Sequence, residues 1–390
     1  MTYLRVGIAF DAAQCLARAA AIAVRYAAVR RQFEDEDDPK PKGETAVLNY
    51  KMVQFRLLPA IAASYALHFA GRELQTLYRK YDAALATDQR AAEAILAELH
   101  LKSCALKAYS TTVAVEGIET CRRACGGHGY SHYSGIGSIY AEQLPSVTYE
   151  GDNYMLTKQV ARSLIKSARA ALAGKGGKSP IDNVLRNYLE CEKSGAVFDV
   201  LNSDADIVAA FGWRVAHATF EIVRLRDQEK ETWNNILIPF WRLSIAFGQY
   251  LTVSAFFATV STDRAALVAA VGEPTAAVLN DLFRLFALST IDNYVGDFAD
   301  AGAITPKQFR LARHRAIGSL LDKIRPHAIP LVEGWGFSDF ILNSSLGRSD
   351  GNVYEDMFRK AAANPVNTLT FDPRPESAVL VKRTTRLAKL

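Results

Sequence analysis

The chain has 390 residues, 49% hydrophobic and 22% charged, with 46 Lys and Arg against 41 Asp and Glu for a formal net charge of +5. That is the balance of a globular chain long enough for two ordinary domains, and it excludes disorder as the default state. The acidic run Glu34 to Asp38 offsets basic clusters elsewhere, so no Lys and Arg stripe marks a nucleic-acid partner.

Five cysteines, an odd number, suit reduced thiols in an intracellular compartment better than a disulfide framework. No apolar run is expected to reach bilayer-spanning length, because Arg18 and Arg25 bracket the most promising one. Met1 leads straight into helical periodicity without a basic, apolar and small-residue leader, so a secretion signal is not expected.

Alanine, leucine and charged residues recur at helical spacing almost throughout, and alternating β-branched runs are hard to find. This predicts an all-α protein of two helical bundles. The first helix is expected from near Arg5 to Phe33, closed by a solvated acidic loop from Glu34 to Gly43. A second begins near Thr45, kinks or breaks at Pro59, where an amide donor is missing, and continues through Leu74. A third spans about Arg90 to Ala124, with Gly126 placed to stop it in a left-handed conformation. A fourth follows Gly151 and ends near Leu172.

The stretch Ala173-Gly174-Lys175-Gly176-Gly177-Lys178-Ser179-Pro180 is the clearest shift in composition. It divides the chain into a domain at 1–172, a linker at 173–181 and a second domain at 182–390. Gly177-Lys178-Ser179 resembles the end of a phosphate-binding loop, but Leu172 stands where that motif requires its first glycine. Helices continue from Asp182, with Trp213, Trp233, Trp241 and Phe247 as aromatic anchors, and an irregular tail follows from about Asn364. Ala388-Lys389-Leu390 fits the small-basic-leucine pattern of a peroxisomal address.

The chemistry concentrates between Cys121 and Asn153. Gly126, Gly127 and Gly129 free the backbone to approach a bulky anionic ligand without a Cβ in the way. A plain helix stop would use the same residues. Glu150 lies between Val147, Tyr149 and Met155, where poor solvation would disfavour its charge and suit a general base. Its ordinary reading is a carboxylate answering the dipole of the helix that begins near Gly151. Cys121, Cys125, His128 and His132 lie too close together for two converging zinc-ligand pairs, so no metal site is expected and the cysteines read as free buried thiols.

These residues carry a resemblance. Gly126-Gly127-His128-Gly129-Tyr130, then Thr148-Tyr149-Glu150-Gly151-Asp152-Asn153 and Gln159-Val160-Ala161-Arg162, resemble the C-terminal half of peroxisomal acyl-CoA oxidases, relatives of the acyl-CoA dehydrogenases. Upstream, Ile22 to Phe33 looks like that family's flavin-contacting helix end, and Leu346 to Glu355 looks like its closing segment.

The resemblance implies that Glu150 removes the α-proton of a fatty acyl-CoA while the β-hydride passes to FAD, which molecular oxygen reoxidises to give hydrogen peroxide. It implies FAD contacts across a homodimer interface from the glycine stretch Gly126 to Tyr130 and from Arg30, Gln32 and Phe33. A guanidinium is apt for a pyrophosphate, and equally for a helix C-terminus. Asn153 is a further candidate to hydrogen-bond the cofactor. The resemblance also implies peroxisomal β-oxidation in the matrix, entry through an import receptor, and a first helical and a middle β domain upstream of the matched region. Without those domains, the alternative is a non-catalytic subunit that pairs with a full-length oxidase.

Overall fold

The computed structural model describes residues 2–34, 36, 43–177, 179–191 and 195–364. Alanine decides the position of the first helix, α1 (Thr2–Val29): every residue from Ala19 to Ala27 is buried, so this part has no solvent face. A helix apolar all round belongs at the centre of a bundle. Around it lie α2 (Lys51–Leu85) and α3 (Gln89–Ala124), followed by α4 (Ile136–Gln143) and α5 (Asn153–Leu172).

After the glycine-rich turn come α6 (Pro180–Cys191), α7 (Asp204–Asp227), α8 (Leu237–Phe257), α9 (Arg264–Val271) and α10 (Glu273–Asn293). Shorter helices follow among the described residues: α11 (Val295–Asp300), α12 (Pro306–Leu311), α13 (Ile317–Ile324), α14 (Ala328–Glu333), α15 (Asp339–Leu342) and α16 (Val353–Ala362). No strand forms among the described residues beyond an isolated bridge between Arg31 and Ala46. The all-α expectation holds.

Helix α8 packs against α2, α3 and α5. A Cβ at Gly248 would come within 2.7 Å of the Tyr109 Cβ, so glycine permits that close approach. One contiguous apolar core therefore runs from Ala12 to Val353, across the glycine-rich turn.

Several boundaries differ from the sequence reading. The first helix stops at Val29 rather than Phe33, because the chain turns to exchange main-chain hydrogen bonds with 45–47: Gln32 N to Thr45 O, Thr45 N to Phe33 O and Val47 N to Arg30 O. Helix α2 runs through Pro59 without interruption. The Phe55 carbonyl that loses its amide partner there belongs to an exposed residue, where water can replace it. Helices α1 and α8 are both long and apolar enough, by length and composition, to cross a membrane, contrary to the sequence expectation. In each, 67% of the apolar window is buried inside the protein, as befits a core helix. Trp241 lies partly at the surface, stacked on Tyr154 with ring centroids 6.0 Å apart, rather than anchoring the interior.

The segment before and within α16 folds back onto α1. Arg25 donates from Nε and Nη2 to the two carboxylate oxygens of Glu333, both at 2.7 Å, and from Nη1 to the Gly347 carbonyl at 2.7 Å. Ser345 N donates to Tyr133 O at 2.8 Å, tying the same segment to the turn after α3. The tail beyond Asn364, with Ala388, Lys389 and Leu390, lies outside the described residues, as does most of the acidic loop.

Candidate active site

Helix α3 ends at Ala124, and Gly126 takes φ +61°, the left-handed conformation expected of it. The chain then turns tightly. A Cβ at Gly129 would sit 1.9 Å from the Arg122 carbonyl oxygen, so only glycine fits; at Gly127 nothing lies within 4 Å.

The turn faces the end of α1. Arg30, Gln32 and Phe33 join Gly126, Gly127 and His128 around one cavity of about 510 Å³, completed by residues including Tyr26, Tyr50, Met52 and Cys125. Two segments separated by more than ninety positions thus form a single wall. Gly129 and Tyr130 lie outside it: Gly129 is buried against Arg122, and Tyr130 is exposed.

Arg30 is oriented by Tyr354, to whose phenolic oxygen Nη1 donates at 3.1 Å, and by Gln32 Oε1, which accepts from Nη2 at 3.4 Å. The His128 ring contacts those of Tyr26 and Tyr354, edge-on to both with centroids 5.9 and 6.2 Å away. Phe33 has φ +59°, a conformation unusual for a non-glycine residue, and its side chain is exposed. Burial pushes the Tyr26 phenol well up and the Cys125 thiol up to about 12, so both stay protonated at neutral pH. Cys121 and Cys125 are free and buried, whereas His132 is exposed.

Glu150 is not among the residues lining this cavity. It lies on the turn between α4 and α5 at φ +55°, followed by Gly151 at φ +107°. Tyr149 and Met155 are exposed, so the apolar shelter expected around the carboxylate is not built from those residues. Their positions straddle the turn and point them outward. Even so, Glu150 Oε2 is buried and has no hydrogen-bond partner among the described residues. The helix cap is Asp152, whose carboxylate accepts from Tyr154 N at 2.9 Å, and Glu150 is spared that duty.

Asn153 is held from α3. Its Nδ2 donates to Ala108 O, Thr111 Oγ1 and Thr112 Oγ1 at 2.9–3.1 Å, and its Oδ1 accepts from Lys107 Nζ at 2.9 Å. Its side-chain bonds go to the bundle. Asp152, Asn153 and Tyr154 also border a second cavity of about 400 Å³, with Thr112, Glu116 and Trp241 on its other walls. Burial there pushes the Glu116 carboxyl up.

Sequence reading gave no site role to Lys107 or Arg5, and took in Tyr26 and Arg25 only as part of the Ile22 to Phe33 segment. Lys107 had a readable signal, a lone charge within the apolar and small-residue run from Ser103 to Thr111.

Against known proteins, residues 1–165 match the family model described as acyl-CoA oxidase, C-alpha1 domain, and residues 203–380 match that described as acyl-CoA oxidase. Peroxisomal acyl-coenzyme A oxidase 1 of Arabidopsis thaliana is 37% identical over 373 residues, covering 94% of this chain and 54% of that protein. The Rattus norvegicus protein of the same name is 35% identical, covering 94% and 55%. Among solved structures, Arabidopsis thaliana acyl-CoA oxidase 1 superposes with a TM-score of 0.85 at 35% identity, over 95% of this chain and 55% of that one. Acyl-CoA oxidase-2 of Caenorhabditis elegans, bound with FAD, ascaroside-CoA and ATP, superposes with a TM-score of 0.86 at 30% identity, over 100% and 57%. The chain spans about half the length of the curated relatives it matches. It belongs to the acyl-CoA oxidase family and corresponds to the C-terminal half of those relatives.

Proposed function

We propose that this chain is the helical portion of an acyl-CoA oxidase and carries the general base for α,β-dehydrogenation of a fatty acyl-CoA to the trans-2-enoyl-CoA. The observation that carries this reading is the buried, unpartnered Glu150 Oε2 on a turn capped by a different carboxylate. A carboxylate oxygen not spent on internal hydrogen bonds is available to take the α-proton of a thioester held against it.

FAD, when bound, supplies the hydride acceptor and passes the electrons to molecular oxygen to give hydrogen peroxide. The wall at Arg30, Gln32, Phe33 and Gly126 to His128 fits such a group: a guanidinium for a phosphate, and open main chain at Gly126 and Gly127 with nothing within 4 Å of a built Cβ. Gly129 supports that wall from behind. Because Glu150 lies outside this cavity, the cavity serves the cofactor of a partner subunit in a homodimer or in a pairing with a full-length oxidase, while Glu150 serves its own. Peroxisomal action, import through the C-terminal tripeptide and the division into domains at 1–172 and 182–390 belong to the same proposal.

A second reading is a non-catalytic subunit that pairs with a full-length oxidase. Tyr154, Met155 and Ile238 are exposed apolar side chains near the start of α5 and in α8, a surface suited to a partner.

The purified chain separates the two readings. Bound flavin absorbance, and peroxide from an acyl-CoA that Glu150→Gln abolishes, support the enzyme. A colourless chain that co-purifies with a full-length oxidase, whose activity is indifferent to Glu150→Gln, supports the pairing subunit.

A further inference from the structure

Lys107 is a fully buried ammonium on α3, in a stretch where every residue from Ser103 to Thr111 is buried. A charge in such surroundings requires partners. Its Nζ donates to the Gly151 carbonyl at 2.7 Å and to Asn153 Oδ1 at 2.9 Å. One carbonyl earlier, the buried Arg5 of α1 donates from Nε to the Glu150 main-chain oxygen at 2.9 Å, while its Nη1 is directed at Cys104 Sγ at 3.4 Å. Two cations from two different helices therefore draw in consecutive carbonyls.

The residues that own those carbonyls, Glu150 and Gly151, both have positive φ. The left-handed region is unfavourable for a glutamate and persists where surrounding structure over-determines it. Neither cation forms an ion pair with the Glu150 carboxylate among the described residues, and Oε2 remains unpartnered. On Glu150 and Gly151 the grip is on the main chain, and Lys107 also holds the Asn153 side chain.

We infer that Lys107 and Arg5 are positioning residues for Glu150: they hold the backbone of its turn from two helices, maintain the left-handed conformation, and leave the carboxylate uncommitted for proton abstraction. This rests on the reading of Glu150 as the base. A neutral or short side chain at 107 would release the Gly151 carbonyl and Asn153 together, loosening the start of α5. Burial pushes the Lys107 ammonium down to about 8, with Asp152 and Glu150 acting against that shift and Arg5 adding to it. The charge at 107 is therefore held in place by the very turn it anchors.

Hydrogen exchange of the full chain tests this with Lys107→Met and Arg5→Met. The amides of 149–153 are expected to exchange about tenfold faster or more, while those of the central parts of α3 and α5 keep their protection. In a preparation that turns over an acyl-CoA, both variants are expected to lower kcat with KM held within roughly twofold, the split of a mispositioned base. Unchanged exchange at 149–153 overturns the proposal. Should Lys107→Met fail to fold, Arg5→Met alone decides. If the turn loosens but Glu150→Gln retains turnover, the grip stands and the base assignment falls. If Glu150→Gln abolishes turnover while Lys107→Met and Arg5→Met turn over like the wild type, the base stands and its positioning by these cations falls.

Discussion

Arg30 donates to the phenolic oxygen of Tyr354 at 3.1 Å, joining residues 324 positions apart in the chain. The bond brings the first turn of α16 against the end of α1 and holds a guanidinium on the cavity that Gly126 and His128 also line. The closing segment thereby supports the candidate cofactor wall through Tyr354 without lining the cavity itself.

Removing that guanidinium tests the wall. Arg30→Gln is expected to weaken FAD binding roughly tenfold to a hundredfold, the effect of losing one charge-assisted hydrogen bond to a phosphate. Tyr354→Phe keeps the charge and is expected to cost less. Flavin fluorescence quenching during titration measures both.

The glycines separate fold from ligand contact. A Cβ at Gly129 would overlap the Arg122 carbonyl at 1.9 Å, so Gly129→Ala is expected to destabilise the chain by at least about 3 kcal/mol. Gly127 has open space, so Gly127→Ala is expected to stay within about 0.5 kcal/mol of the wild type in urea unfolding. The same substitution is expected to weaken FAD binding, because the methyl group stands where the main chain would approach the ligand.

Arg25 is buried, and its partner Glu333 is partly exposed. Arg25→Ala removes a bidentate pair and leaves the Gly347 carbonyl without its donor. A loss of about 2–4 kcal/mol is expected by urea denaturation, the lower end reflecting the access of Glu333 to water.

The pH dependence of stability isolates Lys107. Burial lowers its pKa from the ordinary 10.5 to about 8, while Asp152, Glu150 and Cys104 oppose the shift and Arg5 adds to it. Between those values the unfolded chain holds a proton that the folded chain has released, so stability rises with pH across that window. Below pH 8 the full cost of the buried charge remains. The wild-type stability minus that of Lys107→Met is therefore expected to climb from about pH 8 to about 10.5, by on the order of 3 kcal/mol. A difference curve that is flat across the window would refute the assignment.

Local sequence was sufficient for the helical class and for much of its punctuation. The third helix, expected from about Arg90 to Ala124, is observed as Gln89–Ala124, and Gly126 stops it in the left-handed conformation. Both outcomes depend on interactions within a turn or two of chain, where 3.6-residue periodicity and the absence of a Cβ are sufficient causes. The resemblance, rather than spacing, marked Arg30, Gln32 and Phe33 together with the glycine stretch, and Arg30, Gln32 and Phe33 line one cavity with Gly126 to His128. Their meeting followed from the packing of α1 along α3.

Tertiary structure alone decided how Glu150 is presented. The expected apolar strip of Tyr149 and Met155 faces outward, and the turn is gripped by Lys107, 44 positions before the carbonyl it holds, and by Arg5, 145 positions before its own. No local pattern specifies such partners. A buried cation must find an acceptor wherever the packed helices bring one within reach, and that choice is made by the way α1, α3 and α5 come together.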